Sequence, residues 1–189
     1  MPGKRFLRIP VFMADQLDEL QRQIERGSRV INLSGVTSAA AKASVLARLR
    51  SATGRVFAVV TNSNSDMESW LGDLSYFCGA DVKVISLPSF EADPYSGTSP
   101  HAETQERRAL ALWQMREQNT GFIVLPARSL IQRTVTPKAI AGMGCVLRRD
   151  ADFPPETLIE TLFAGGYVRE EPLFGPGQFS VRGGIIDVW

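Results

Sequence analysis

The stretch NLSGVTSAAAKASVLARL, Asn32–Leu49, decides how the first half of the chain is read. It has the frame of a phosphate-binding loop: an apolar run ending near Leu33, a glycine, a turn of small residues, a lysine, then an amphipathic helical pattern. A working loop of the form G-x-x-x-x-G-K-[ST] uses its second glycine to close backbone N–H groups around phosphates. Its lysine reaches the β and γ oxygens and its hydroxyl holds magnesium. Counted from Gly35, the second glycine position is Ala40, the lysine position is Ala41 and the hydroxyl position is Lys42. Sliding the register so that Lys42 and Ser44 serve leaves an alanine where backbone angles disfavour a Cβ. The expectation is a degenerate loop that keeps the strand-turn-helix shape and holds no nucleotide.

Outward from this loop the pattern alternates. A helix over Ala14–Glu25, ended by Gly27, precedes a strand at Arg29–Leu33. Helix Ala39–Arg50, strand Arg55–Val60, helix Asp66–Phe77 and strand Val82–Ser86 follow. The loop LPSFEADPYSGTSP (Leu87–Pro100) leads to helix Glu103–Glu117, with Ala109, Leu110 and Trp113 expected inside, and to strand Gly121–Leu125. Alternating strands and helices point to a parallel sheet with helices on its faces. The texture changes after Pro126: strand Cys145–Arg149, helix Pro155–Phe163 behind Asp152 and Pro154, then strands Tyr167–Glu170, Gln178–Arg182 and Ile185–Trp189. The fold class expected is α/β: a degenerate P-loop or helicase-like parallel-sheet domain, followed by a small α+β domain. The divisions are 1–27, a helical segment; 28–125, the parallel-sheet domain; and 126–189, the α+β unit. Its apolar closing run, GGIIDVW, is expected to continue into further strands of a longer protein.

Composition narrows the function classes. With 21 basic and 20 acidic residues the formal charge is +1, which argues against attachment to nucleic acid by bulk electrostatics. Apolar runs such as Gly121–Pro126 fall well short of the ~20 residues of a membrane span, and a cytoplasmic address with no membrane contact is expected. Cys78 and Cys145 lack metal or disulfide spacing and read as small buried thiols. The one histidine, His101, has no triad partner or ligand spacing. Glu91, Asp93 and Glu103 read as caps and solubilising groups, and Phe90 and Tyr95 as loop anchors on the edge of the sheet.

Four segments carry a family resemblance: SGVT before the first long helix, PSFEADPYSGTSPHAETQERR in the middle loop, GFIVLPARSLIQRTV at the boundary, and GGYVREEPLFGPGQFSVRGGIIDVW at the end. Together, over about Ser28–Trp189, they resemble the N-terminal region of bacterial transcription-repair coupling factors, which is similar to the front of the excision-repair helicase UvrB. The resemblance implies a helicase-like domain 1a, an inserted domain 2, and a return to a further α/β part. It implies no motor here: the family's ATP- and magnesium-using translocase and its RNA polymerase and DNA contacts lie in other domains. Domain 2 of the family binds the damage-recognition ATPase UvrA, and that surface is masked in the resting full-length protein. Two UvrB arginines fall on Arg169 and Arg182, while a third falls on Ser180. On strand Gln178–Arg182, the residues Gln178, Ser180 and Arg182 are expected to share a face, joined by Arg169, with Phe179 and Val181 turned to the core. The middle loop is too short for UvrB's tyrosine-rich hairpin, so no damage verification is expected. Two other readings remain open: a nucleotide-binding α/β domain, and a DNA-binding domain using Arg148, Arg149, Arg169 and Arg182.

Overall fold

The computed structural model describes residues 9–92, 95, 97–116 and 120–189, with side chains from residue 16 onward. Helix α1 spans Ile9–Glu25 and packs against α2, Ala39–Thr53. The Ser38 hydroxyl fixes the start of α2 by accepting from the Ala41 N–H at 3.1 Å, satisfying a donor that the first turn leaves without a partner. Gly54 ends it in the left-handed region, φ 68°, with its N–H on the Arg50 carbonyl. Ser63 caps α3, Asn64–Cys78, in the same way through Asp66 N–H.

Strands β1 (Phe57–Thr61), β2 (Lys83–Ser86) and β3 (Thr120–Pro126) form a parallel sheet in the order β1-β3-β2. Every residue of β3 except Ile123 is buried, as expected of a central strand covered on both faces. Phe122 and Val124 meet Ala43, Val59, Met67 and Leu74 beneath α2 and α3. On the opposite face, Leu125 and Ile123 pack with Ile85, Leu87 and Ala111 against α4, Ala102–Gln114. Gly121 sits where a Cβ would lie 2.2 Å from Val82 Cγ1, so this close approach of strand to neighbour requires glycine.

Short helices α5 (Ala127–Leu130) and α6 (Pro137–Gly142) lead to α7, Pro155–Ala164. A second, mixed sheet follows in the order β4-β5-β6, from Val168–Arg169, Gln178–Arg182 and Ile185–Val188. Strands β4 and β5 run parallel, β5 and β6 antiparallel. Gly183 and Gly184, both at positive φ, make the two-residue hairpin turn between β5 and β6, the geometry whose twist matches the flanking strands. Phe179 is fully buried and meets the Phe163 ring edge-on at 5.1 Å.

The α/β class with a parallel sheet and a small mixed sheet is therefore present, but several expected details differ. Arg29–Leu33 forms no strand: residues 26–35 are exposed, and Val30 is 80% accessible. A strand exists through pairing, and among the described residues this run meets no neighbour whose carbonyls and amides it engages. Cys145–Arg149 likewise stays irregular and exposed, with Cys145 at the surface rather than buried. Helix α4 turns Arg108, Ala111 and Leu112 inward, leaving Ala109 and Leu110 outside and Trp113 half-buried. The buried Arg108 shifts the phase: it donates to the Pro88 carbonyl and lies 4.5 Å over the Phe90 ring. Tyr95 is 95% accessible, so its ring is not buried on the sheet, and α7 begins at Pro155 behind the N-cap Pro154, with no side-chain capping bond there. Asp93 and Glu117 lie outside the described residues.

Candidate partner-docking site

In an open α/β sheet, ligands bind in the crevice beyond the carboxyl ends of the strands. Here the segment Leu87–Phe90 fills that region. Asn64 clamps it, donating to the Ser89 carbonyl at 3.0 Å and accepting from the Ser89 N–H at 2.8 Å. Ser129 Oγ donates to the Leu87 carbonyl at 2.9 Å, and Ser89 and Ser129 are both buried. Burial with little compensation also pulls the Arg108 guanidinium below its ordinary pKa. These polar groups lock backbone to backbone rather than facing an open cleft.

The Gly35–Lys42 segment offers a poor fit to a nucleotide. No strand feeds it, the Ala41 N–H is engaged by Ser38, and Ala40, Ala41 and Lys42 stand exposed at the first turn of α2. The donor set lacks the glycine that would let the backbone close around phosphates. Among the described residues, no group of three or more His, Cys, Asp and Glu side chains could hold a metal ion. Burial raises the pKa of the Cys78 thiol, with Arg50 pulling the other way. Arg148 and Arg149 lie on an exposed turn closed by Ala151 N–H on the Arg148 carbonyl, away from any strand.

The mixed sheet is built differently. The register sets Arg169 opposite Phe179 and Arg182 opposite Ile185. Paired residues leave a sheet on the same side and successive residues on opposite sides, so Arg169 and Arg182 emerge on opposite faces rather than one. They converge at one corner nonetheless. Arg169 Nη2 donates to the Val181 carbonyl at 3.4 Å, one residue from Arg182 at the hairpin turn. Arg182 Nε meets Glu171 Oε1 at 3.0 Å, with both side chains more than half exposed.

The other two expected docking residues are spent internally. Ser180 is only 2% exposed: it sits on the central strand between β4 and β6, where its face is covered as the Phe179 face is. Gln178 Oε1 accepts from the N–H groups of Phe174 at 2.6 Å and Gly175 at 3.1 Å, bracing the turn before β5. The expectation that Gln178, Ser180 and Arg182 form an open row is thus replaced by a corner with Arg169 and Arg182 as its exposed cations. Val168 and Ile185 are exposed beside them on the same sheet.

Residues 146–189, which contain α7 and all of this small mixed sheet with its exposed edge strands and arginine corner, match the family described as UvrB interaction domain. Over most of its length the chain is similar to transcription-repair-coupling factors. The protein of that name from Myxococcus xanthus is 29% identical over 183 residues, covering 93% of this chain. Those from Mycobacterium tuberculosis and Escherichia coli are 28% and 25% identical, covering 69% and 58% of it. The chain spans 15%, 11% and 10% of the lengths of these three relatives.

Proposed function

We propose that this chain is a protein-docking module that recruits UvrA to stalled RNA polymerase in transcription-coupled excision repair. The observation carrying this reading is that the interaction-domain match falls on the sheet whose corner exposes Arg169 and Arg182. Arginine suits such a surface because its planar fork pairs with carboxylates in fixed geometry. On this reading residues 126–189 are the UvrA-binding domain, residues 28–125 a helicase-like domain that supports it, and residues 1–27 an N-terminal helical segment. The Gly35–Lys42 loop binds no ATP, so the module needs no cofactor and catalyses no reaction. Translocation on DNA and contact with RNA polymerase belong to other parts of a larger protein. Such a module works in the cytoplasm, and no described helix is long and apolar enough to cross a membrane.

The test is direct binding of purified UvrA to the wild-type chain and to Arg169→Ala, Arg182→Ala and the double variant. Each single change is expected to weaken binding about tenfold, in line with truncation of an arginine anchor. Equal affinity of wild type and double variant would remove the site. Calorimetry with ATP and magnesium is expected to show no heat of binding. Affinity for duplex DNA is expected to be weak and nearly flat with salt, whereas a steep negative slope would favour a DNA-binding role for Arg148, Arg149, Arg169 and Arg182.

A further inference from the structure

The corner that would dock a partner is not electrically open. Of its two arginines, Arg182 is already joined to a carboxylate of its own chain, Glu171, through Nε at 3.0 Å. Glu170 and Glu171 follow Arg169 directly in sequence, so two acidic side chains accompany the two cations at this edge. Ser180 and Gln178 add no competing charge, one being buried and the other holding its turn.

We propose that Glu171 is an intramolecular competitor that sets the strength of docking: a partner carboxylate binds Arg182 by replacing Glu171, so that association is an exchange of ion pairs. This rests on the reading of the corner as a docking site for an acidic surface. The pair is suited to exchange because both side chains are more than half exposed, 59% and 55%. Such pairs are weak enough to open at little cost. The exchange lowers affinity without altering the shape of the surface. It also suppresses binding to partners that offer only diffuse negative charge, since these must still break the internal pair.

The consequence separates this role from that of a scaffold. Glu171→Gln keeps a side chain of the same length whose carbonyl oxygen can still accept from Arg182 Nε, but removes the competing charge. If Glu171 merely holds Arg182 in position, Gln preserves that function and affinity stays unchanged, while Glu171→Ala weakens binding. If Glu171 competes, both variants tighten binding.

The experiment measures the dissociation constant of purified UvrA for the wild-type chain, Glu171→Gln, Glu171→Ala, Arg182→Ala and the double variant Glu171→Gln/Arg182→Ala, at two salt concentrations. The expected result is tightening of about two- to fivefold for Glu171→Gln and Glu171→Ala, the scale of one exposed ion pair. That gain should vanish when Arg182 is alanine, and the Glu171→Gln complex should depend more steeply on salt. Unchanged or weaker binding by Glu171→Gln, with Arg182→Ala still damaging, overturns the competitor and leaves the docking site standing. No effect of Arg182→Ala, or no UvrA binding by the wild-type chain, removes the docking site and the competitor with it.

Discussion

Phe122 and Phe179 are both fully buried, each in the central strand of a three-stranded sheet, yet the two sheets use the residues around them in opposite ways. Around Phe122, helices α2 and α3 on one face and α4 on the other cover β3 almost completely. Around Phe179, a single short helix supplies the Phe163 ring, itself half-exposed, and Val168, Ile185 and Val188 stay open. A sheet covered along its whole central strand contributes stability, while one whose edge strands stay exposed keeps surface for recognition. The match to an interaction-domain family falls on the second kind.

The largest effects should come from the two aromatic cores. Phe122→Ala is expected to cost about 4–5 kcal/mol in chemical denaturation, because the covered site cannot collapse around the cavity. Phe179→Ala should cost less, about 3 kcal/mol, because the neighbouring ring is free to shift into the space. Equal losses would break the distinction between the sheets. Hydrogen exchange sharpens it further, since amides of β3 should be the last to exchange and those of β4 among the first.

A smaller effect tests how the two regions are joined. Gly144 lies against the Trp113 ring of α4, where an added Cβ would sit 2.6 Å from Cζ3. Arg116 covers that ring at 4.8 Å. An indole cannot yield as a flexible chain would, so Gly144→Ala is expected to cost about 1–3 kcal/mol. Gly142→Ala, with nothing within 4 Å of the added atom, is the control and should be neutral or slightly stabilising. Equal behaviour of the two would mean that the Trp113 contact does not tie α4 to the segment after α6.

Much of this division was legible in the sequence, and the misreadings have physical causes. The helix expected at Ala39–Arg50 is present as α2, while the one expected at Asp66–Phe77 begins two residues earlier, because the Ser63 hydroxyl accepts from the Asp66 N–H and closes the first turn there. The run Gly121–Leu125 reads as a buried strand because a continuous apolar stretch of that length has few other uses. Arg29–Leu33 has an apolar pair, Val30 and Ile31, between Arg29 and Asn32, but strand formation depends on a neighbour that no local pattern encodes. Ser180 was misplaced because alternation assumes one wet face, while the middle of β5 is covered on both faces. The Arg169–Arg182 corner needed the register, which sequence spacing does not give.

Helix capping gives the next step down. Ser38→Ala removes the acceptor for Ala41 N–H and should cost about 1 kcal/mol. Ser63→Ala should behave alike, since it removes the equivalent acceptor for Asp66 N–H. If Ser38 instead served a bound phosphate, its loss would be felt in the presence of nucleotide and not in its absence.

The smallest expected effect on stability falls at the corner proposed for recognition. Glu171→Gln breaks an ion pair between side chains that remain more than half in water, where Coulomb attraction is screened and ordering two long side chains offsets much of the gain. Its cost in chemical denaturation should be below about 0.5 kcal/mol, and raising the salt concentration should shrink it further. A loss above about 2 kcal/mol would mean that the pair holds the β4–β5 edge together. The corner would then be structural in the way the first sheet is, and a partner could not exchange for Glu171 without unfolding the surface it binds. A negligible loss leaves Arg182 and Glu171 free to answer to a partner, which is the property that separates the second sheet from the first.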